Sequence, residues 1–152
     1  MTVSLHDAFP RGAVRAGVRC DDWRAAVRAA GELLVTTGAA TTAYVDAIVA
    51  AVEDMGPYIV LAPGIAIAHA RPEDGATAVG FSLARLAEPV AFGSRANDPV
   101  DLVFAFATPD PEEHVSALSA LALFIESGAN LERLRAASTD DELYDVIEEA
   151  ST

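Results

Sequence analysis

The sequence contains no lysine: all ten of its basic residues are arginines. Without a side-chain amine, Schiff-base chemistry and the lysine of a phosphate-binding P-loop are excluded, and the glycine-rich pattern of that loop is missing as well. Cysteine is almost as scarce. Cys20 stands alone and can form no disulfide within the chain, which fits a reducing cytosol. No apolar run nears the ~18 residues a membrane-spanning helix needs. The opening MTVSLHDAFPRGAVRAG has no apolar stretch after a basic start, so it reads as no secretory signal. Charged residues are few, 22% against 52% hydrophobic, which excludes a disordered tail. Internal repeats and low-complexity linkers are absent too.

What is present suits one domain spanning residues 1–152, with residues 1–20 forming a poorly patterned N-terminal segment. A chain of this length buries roughly two thirds of the surface its unfolded form exposes. Twenty-three acidic residues face the ten arginines, for a formal net charge of −13. That balance argues against nucleic acid or an anionic membrane and favours a basic partner surface, with plain solubility as the other account.

Periodicity divides the chain into helices, then strands, then helices. CDDWRAAVRAAGELLVTTG predicts a helix capped by Asp21 or Asp22, with Trp23, Val27, Ala30 and Leu34 on one face and Gly38 as its left-handed end. Cys20 and Trp23 read as packing at the helix entry. A second helix follows a cap at Thr41 or Thr42, buries Val45, Ile48, Val49 and Val52, and stops at Gly56-Pro57. YIVLA and GIAIA then read as short strands separated by Pro63-Gly64, with a turn over residues 71–75. Residues 78–86 alternate as a strand, and 98–108 read as a buried one. The next helix has Asp110 as N-cap, Pro111 as its first residue, a capping box completed by Glu113 and Gly128 as its end. A short helix near NLERLRAA and a last one in TDDELYDVIEEA, with a Thr139/Glu142 box, close the chain. That order of elements gives an α/β or α+β single domain.

Three histidines, His6, His69 and His114, are the candidates for chemistry, and none has the spacing of a zinc site. His6 falls in the poorly patterned N-terminus and reads as having no role. His69 ends an apolar strand where the chain leaves the sheet, a place where α/β proteins collect functional groups. A neutral imidazole is a good nucleophile near neutral pH, and one ring nitrogen can attack phosphorus while a backbone carbonyl holds the other. His114 sits in the first turn of its helix, where the dipole and the free N–H groups suit an incoming anion. Taken singly, each ring reads as a structural, hydrogen-bonded histidine sooner than as a catalyst, and Arg71 reads as a surface charge.

GPYIVLAPGIAIAHARPEDGA, FSLARLAEPVAFG, NDPVDLVFAFATPDPEEHVSALSALALFI and TDDELYDVI together resemble the enzyme IIA domain of the sugar phosphotransferase system (PTS), of the fructose/mannitol type. The first string is most similar to the ascorbate-specific branch. The resemblance runs in order from about Asp21 to Ile147. It implies an α/β fold with a single mixed β-sheet flanked by helices, with His69 as the phosphoryl acceptor and His114 supporting the phosphoryl group from across a pocket. Arg71 is a further candidate contact for that group. One position departs from the family pattern: proline usually precedes the active histidine, and here Ala68 does, which leaves the approach to His69 less rigid.

The implied activity is relay rather than hydrolysis, with no ATP, metal or other cofactor. Phosphohistidine on the carrier HPr passes its phosphoryl group to His69 at Nε2, and His69 passes it to a cysteine of the IIB component. The membrane IIC component, which this cytoplasmic protein serves indirectly, chooses the sugar. Two other readings stand beside this one: a regulatory protein of the same fold whose phosphorylation state a partner senses, and a small-molecule binding domain with structural histidines.

Overall fold

A computed structural model of the protein describes residues 3–150. Its elements are α1 (Leu5–Ala8), β1 (Val14–Val18), α2 (Trp23–Thr36), α3 (Thr42–Met55), β2 (Val60–Ala62), β3 (Ile65–Ala68), β4 (Gly80–Val90), β5 (Val100–Ala107), α4 (Pro111–Ile125), α5 (Gly128–Ala136) and α6 (Asp140–Ala150). The caps of the first long helices are those the sequence suggests. The Asp22 carboxylate accepts from the Ala25 N–H at 2.9 Å, and the Thr41 hydroxyl accepts from the Tyr44 N–H at 3.4 Å. Gly56, at φ 86°, closes α3 by donating to the Val52 carbonyl. Cys20 and Trp23 pack at the entry to α2, against the core beneath that helix.

The five strands lie in the order β1-β4-β5-β3-β2. Strands β1 and β4 run parallel, β4 and β5 antiparallel, β5 and β3 parallel, and β3 and β2 antiparallel. The sheet is therefore mixed, as the family resemblance implies. Side chains on successive strand residues point to opposite faces, and β3 and β5 sort theirs by size. Ala66, Ala68, Val103, Ala105 and Ala107 join the core shared with α2 and α3. Ile65, Ile67, Leu102, Phe104 and Phe106 face the other way, into a core completed by Leu121, Phe124, Leu134, Leu143 and Ile147 of α4, α5 and α6. Small side chains let α2 and α3 lie close to the sheet; large ones fill the wider space under the C-terminal helices.

Several local expectations are corrected. The poorly patterned N-terminal segment contains β1, which pairs with β4 in the register Val14↔Leu83 and Val18↔Leu86. Gly128 opens a helix instead of ending one: α4 stops at Ile125, Ser127 caps α5 by accepting from the Asn130 N–H at 3.3 Å, and Gly128 follows it. At the start of α4 the Asp110 carboxylate accepts from the Glu112 N–H, so the cap closes one residue before Glu113. At α6, Thr139 accepts from the Glu142 N–H as expected, while the Glu142 carboxylate reaches the Ser138 N–H, one residue earlier than a reciprocal box requires.

The loop after β3 is fastened to the start of α3. The Thr41 N–H donates to the Gly75 carbonyl at 3.0 Å. A Cβ on Gly75, which has φ 134°, would sit 2.3 Å from the Thr41 hydroxyl oxygen. Only glycine fits that approach and that backbone angle, so residues 71–75 lie along α3 and form one wall of the cleft described next.

Candidate active site

Because β3 and β5 are parallel neighbours, paired through Ala68↔Ala105, their carboxyl ends finish on the same edge of the sheet. The chain leaves β3 at His69, and leaves β5 through a short loop into α4, whose fourth residue is His114. Topology thus delivers two imidazoles 45 residues apart to one place, with ring centroids 5.3 Å apart and planes inclined by 64°. Phe106 supports both: its ring stacks on His69 at 5.1 Å and meets His114 at 5.1 Å. Tyr58 stands edge-on to His69 at 5.7 Å.

The two ring nitrogens of His69 have different surroundings. Nδ1 lies 2.9 Å from the Ile67 carbonyl oxygen. A carbonyl can only accept, so the proton of the neutral ring belongs on Nδ1 and the lone pair on Nε2. Burial pushes the His69 pKa below the usual histidine value of 6.5; the bond to Ile67 opposes this, and repulsion from His114 adds to it. The ring is therefore held neutral with a free nucleophilic nitrogen.

His114 is half-buried at the first turn of α4. The helix mouth is less open to an anion than its position suggests. Pro111 has no N–H, the Glu112 N–H goes to the Asp110 carboxylate, and the His114 N–H goes to the Asp110 carbonyl. Among the described residues, the Glu113 N–H is the one first-turn donor left without a partner.

A cleft of about 810 Å³ opens beside the two histidines. Its lining includes Ala47, Ala50 and Ala51 of α3, Tyr58, His69, Arg71 and His114. Arg71 is exposed; its backbone N–H donates to the Asp74 carboxylate at 3.1 Å, and its guanidinium enters no ion pair among the described residues. All three candidate residues, His69, His114 and Arg71, thus share one cavity. His6 is not part of its lining. No cluster of three or more metal-ligating side chains occurs among the described residues, and none of their helices is long and apolar enough to cross a membrane.

Sequence reading missed two tyrosines at the site. The Tyr58 hydroxyl donates to the His69 carbonyl at 3.0 Å. The Tyr44 hydroxyl accepts from the Ala70 N–H at 3.1 Å and donates to the Phe106 carbonyl at 2.8 Å. Both lie in apolar stretches, where an aromatic residue reads as core filling.

Residues 8–150 match the family described as "Phosphoenolpyruvate-dependent sugar phosphotransferase system, EIIA 2". The ascorbate-specific PTS system EIIA component of Shigella flexneri is 38% identical over 149 residues, 96% of each chain. Among solved structures, the mannitol-specific cryptic phosphotransferase enzyme IIA of Escherichia coli superposes with a TM-score of 0.86 at 32% identity, covering 97% of this chain and 99% of that one. The complex of enzyme IIAMTL with phosphorylated enzyme IIBMTL, also from Escherichia coli, contains a chain that matches with a TM-score of 0.79 at 26% identity, covering 93% and 99%.

Proposed function

The chain belongs to the EIIA 2 family of the phosphoenolpyruvate-dependent sugar phosphotransferase system, and from that premise we propose that it is a cytoplasmic phosphocarrier in which His69 accepts and donates the phosphoryl group. The observation that carries this reading is the pairing at the cleft: two imidazoles 5.3 Å apart, one of them with Nδ1 fixed on the Ile67 carbonyl. In the accepting step the Nε2 lone pair of His69 attacks phosphorus in line, the new N–P bond forms, and the P–N bond of phospho-HPr breaks with its electron pair returning to the HPr imidazole. In the donating step a cysteine thiolate of the IIB component attacks the same phosphorus, and the N–P bond to His69 breaks. Positive charge that develops on the His69 ring while it carries the group is eased by the Nδ1–H bond to Ile67. His114 and Arg71 supply donors to the equatorial oxygens, and their places in the cleft support that role.

The partner surface has a consistent chemistry. Met55, 64% exposed, lines the cleft, and Val115, 66% exposed, follows His114, so apolar contacts are offered at the point of transfer. The surrounding acidity, a net charge of −13, would steer basic carriers toward it. The relative complexed with phosphorylated enzyme IIBMTL supports a IIB partner here, and the ascorbate-specific relative supports ascorbate as the sugar taken up through the IIC component.

The test is to incubate the protein with phosphoenolpyruvate, enzyme I and HPr. An acid-labile, base-stable phosphate should appear on the protein and vanish in His69→Ala. Failure of the intact protein to take up phosphate, or labelling that survives His69→Ala, would overturn the assignment.

A further inference from the structure

We propose that Tyr44 and Tyr58 are positioning residues for His69, two phenol hydroxyls that brace the backbone on either side of the imidazole-bearing residue. The inference rests on the reading of His69 as nucleophile and adds the groups that hold it in place. His69 follows an alanine, so neither a fixed φ nor a pyrrolidine ring restrains the backbone just before it. At His69 and Ala70 themselves, restraint comes from side chains. Tyr58 takes the His69 carbonyl at 3.0 Å, and Tyr44 takes the next N–H, that of Ala70, at 3.1 Å.

Tyr44 links this segment to the other half of the site. Its oxygen accepts from Ala70 and donates its single proton to the Phe106 carbonyl at 2.8 Å. Phe106 is the residue whose ring stacks on His69 and meets His114. One buried oxygen, on a side chain 1% exposed, therefore ties the exit of β3 to the end of β5 and sets the separation of the two imidazoles. Burial pushes the Tyr44 pKa up to about 12, so the hydroxyl stays protonated and keeps both bonds across the physiological range. Tyr58 adds a second constraint. Its ring stands at 85° to the imidazole while its hydroxyl holds the carbonyl of the same residue, which limits rotation of the peptide that carries the ring. Nδ1 can then stay on Ile67, which leaves Nε2 as the ring nitrogen free to react.

The experiment uses the full chain with Tyr58→Phe and Tyr44→Phe, which delete one oxygen each and keep the rings. Long-range 1H–15N spectra of the unphosphorylated protein report the His69 tautomer without any phosphoryl donor. In the intact protein a single Nδ1–H tautomer is expected; in each variant a mixture should appear. In the phosphorylation assay, transfer at saturating phospho-HPr should fall roughly tenfold or more in each variant with KM unchanged, the scale on which small misplacements of a reacting group act. Tyr58 is only half-buried and its partner carbonyl can be rehydrated, so Tyr58→Phe decides the matter if Tyr44→Phe fails to fold. An unchanged tautomer and an unchanged rate in Tyr58→Phe would overturn the proposal. A changed tautomer in a protein that never takes phosphate would sink the phosphocarrier reading and leave the bracing intact.

Discussion

Phe106 lies face to face with His69, ring centroids 5.1 Å apart and planes inclined by only 18°. The contact makes one side of the imidazole dry, and dryness is the main reason its protonation is disfavoured. Phe106→Leu retains an apolar side chain but loses the flat face. The expected outcome is a stability loss of about 1–2 kcal/mol in urea denaturation, together with a rise of the His69 pKa back toward its ordinary value in an NMR titration. An unmoved His69 pKa would show that the phenyl face does not exclude water from the ring.

The depressed His69 pKa also gives stability a pH dependence. Below the ordinary histidine pKa of 6.5 the unfolded chain binds a proton that the folded ring resists. Stability is thus fully present above that value and falls as pH drops from there toward the folded-state pKa. Urea melts at pH 7.5 and at pH 5.5 should show a smaller difference in His69→Gln than in the parent protein. In the transfer assay, the acid limb of the rate profile should lie below the pH expected of a free histidine.

His114→Ala is expected to keep the acceptor nitrogen and slow its chemistry. Labelling at His69 should still reach completion, while the rate constants for transfer from phospho-HPr and to IIB both drop, by roughly a hundredfold if the imidazole is a main charge-stabilising donor. Equal rates in parent and variant, in both directions, would remove His114 from the proposed chemistry.

Arg71 makes a cleaner experiment because its guanidinium holds no other part of the fold by an ion pair among the described residues. Arg71→Ala should leave the unfolding free energy within about 0.5 kcal/mol of the parent and slow transfer by roughly tenfold, the value of one charge-assisted hydrogen bond. Arg71→Lys should restore part of the rate, since it returns the charge without the planar fork. A variant as fast as the parent would make this arginine a bystander at the cleft mouth.

The long helices were legible because their signals are local. Asp22, Thr41 and Gly56 cap α2 and α3 from positions the sequence marks, and the apolar stripe of α3 at Val45, Ile48, Val49 and Val52 is buried as its spacing predicts. β1 was not legible, because Arg15 and Gly17 interrupt its pattern and its strand identity comes from pairing with β4, nearly 70 residues downstream. The far end of β4 was hidden for a related reason: alternation stops near Leu86, and the strand continues to Val90 through an irregular register that accommodates Pro89, which cannot donate to the ladder. Ser127 outcompeted Gly128 as punctuation because its hydroxyl gives the next helix a cap.

At the site, each histidine was visible as a candidate, yet periodicity and spacing did not bring the two together. Their meeting depends on a parallel pairing of β3 with β5, a long-range choice that resemblance to a family supplied. Tyr44 and Tyr58 were invisible as site residues for a simpler reason. Hydrophobic patterning registers their rings and says nothing about where a hydroxyl will find partners.

The mouth of α4, with one backbone donor left over, sets how tightly this surface can grip what it receives. A pocket rich in positive charge would trap its cargo and become a dead end. The helix mouth itself offers little beyond His114 and Arg71, so in the proposed relay a visiting protein would bring further donors of its own and take them away when it departs. In the proposed relay, such a half-furnished station would keep the energy of the phosphate nearly level from one stop to the next and let traffic run onward instead of halting.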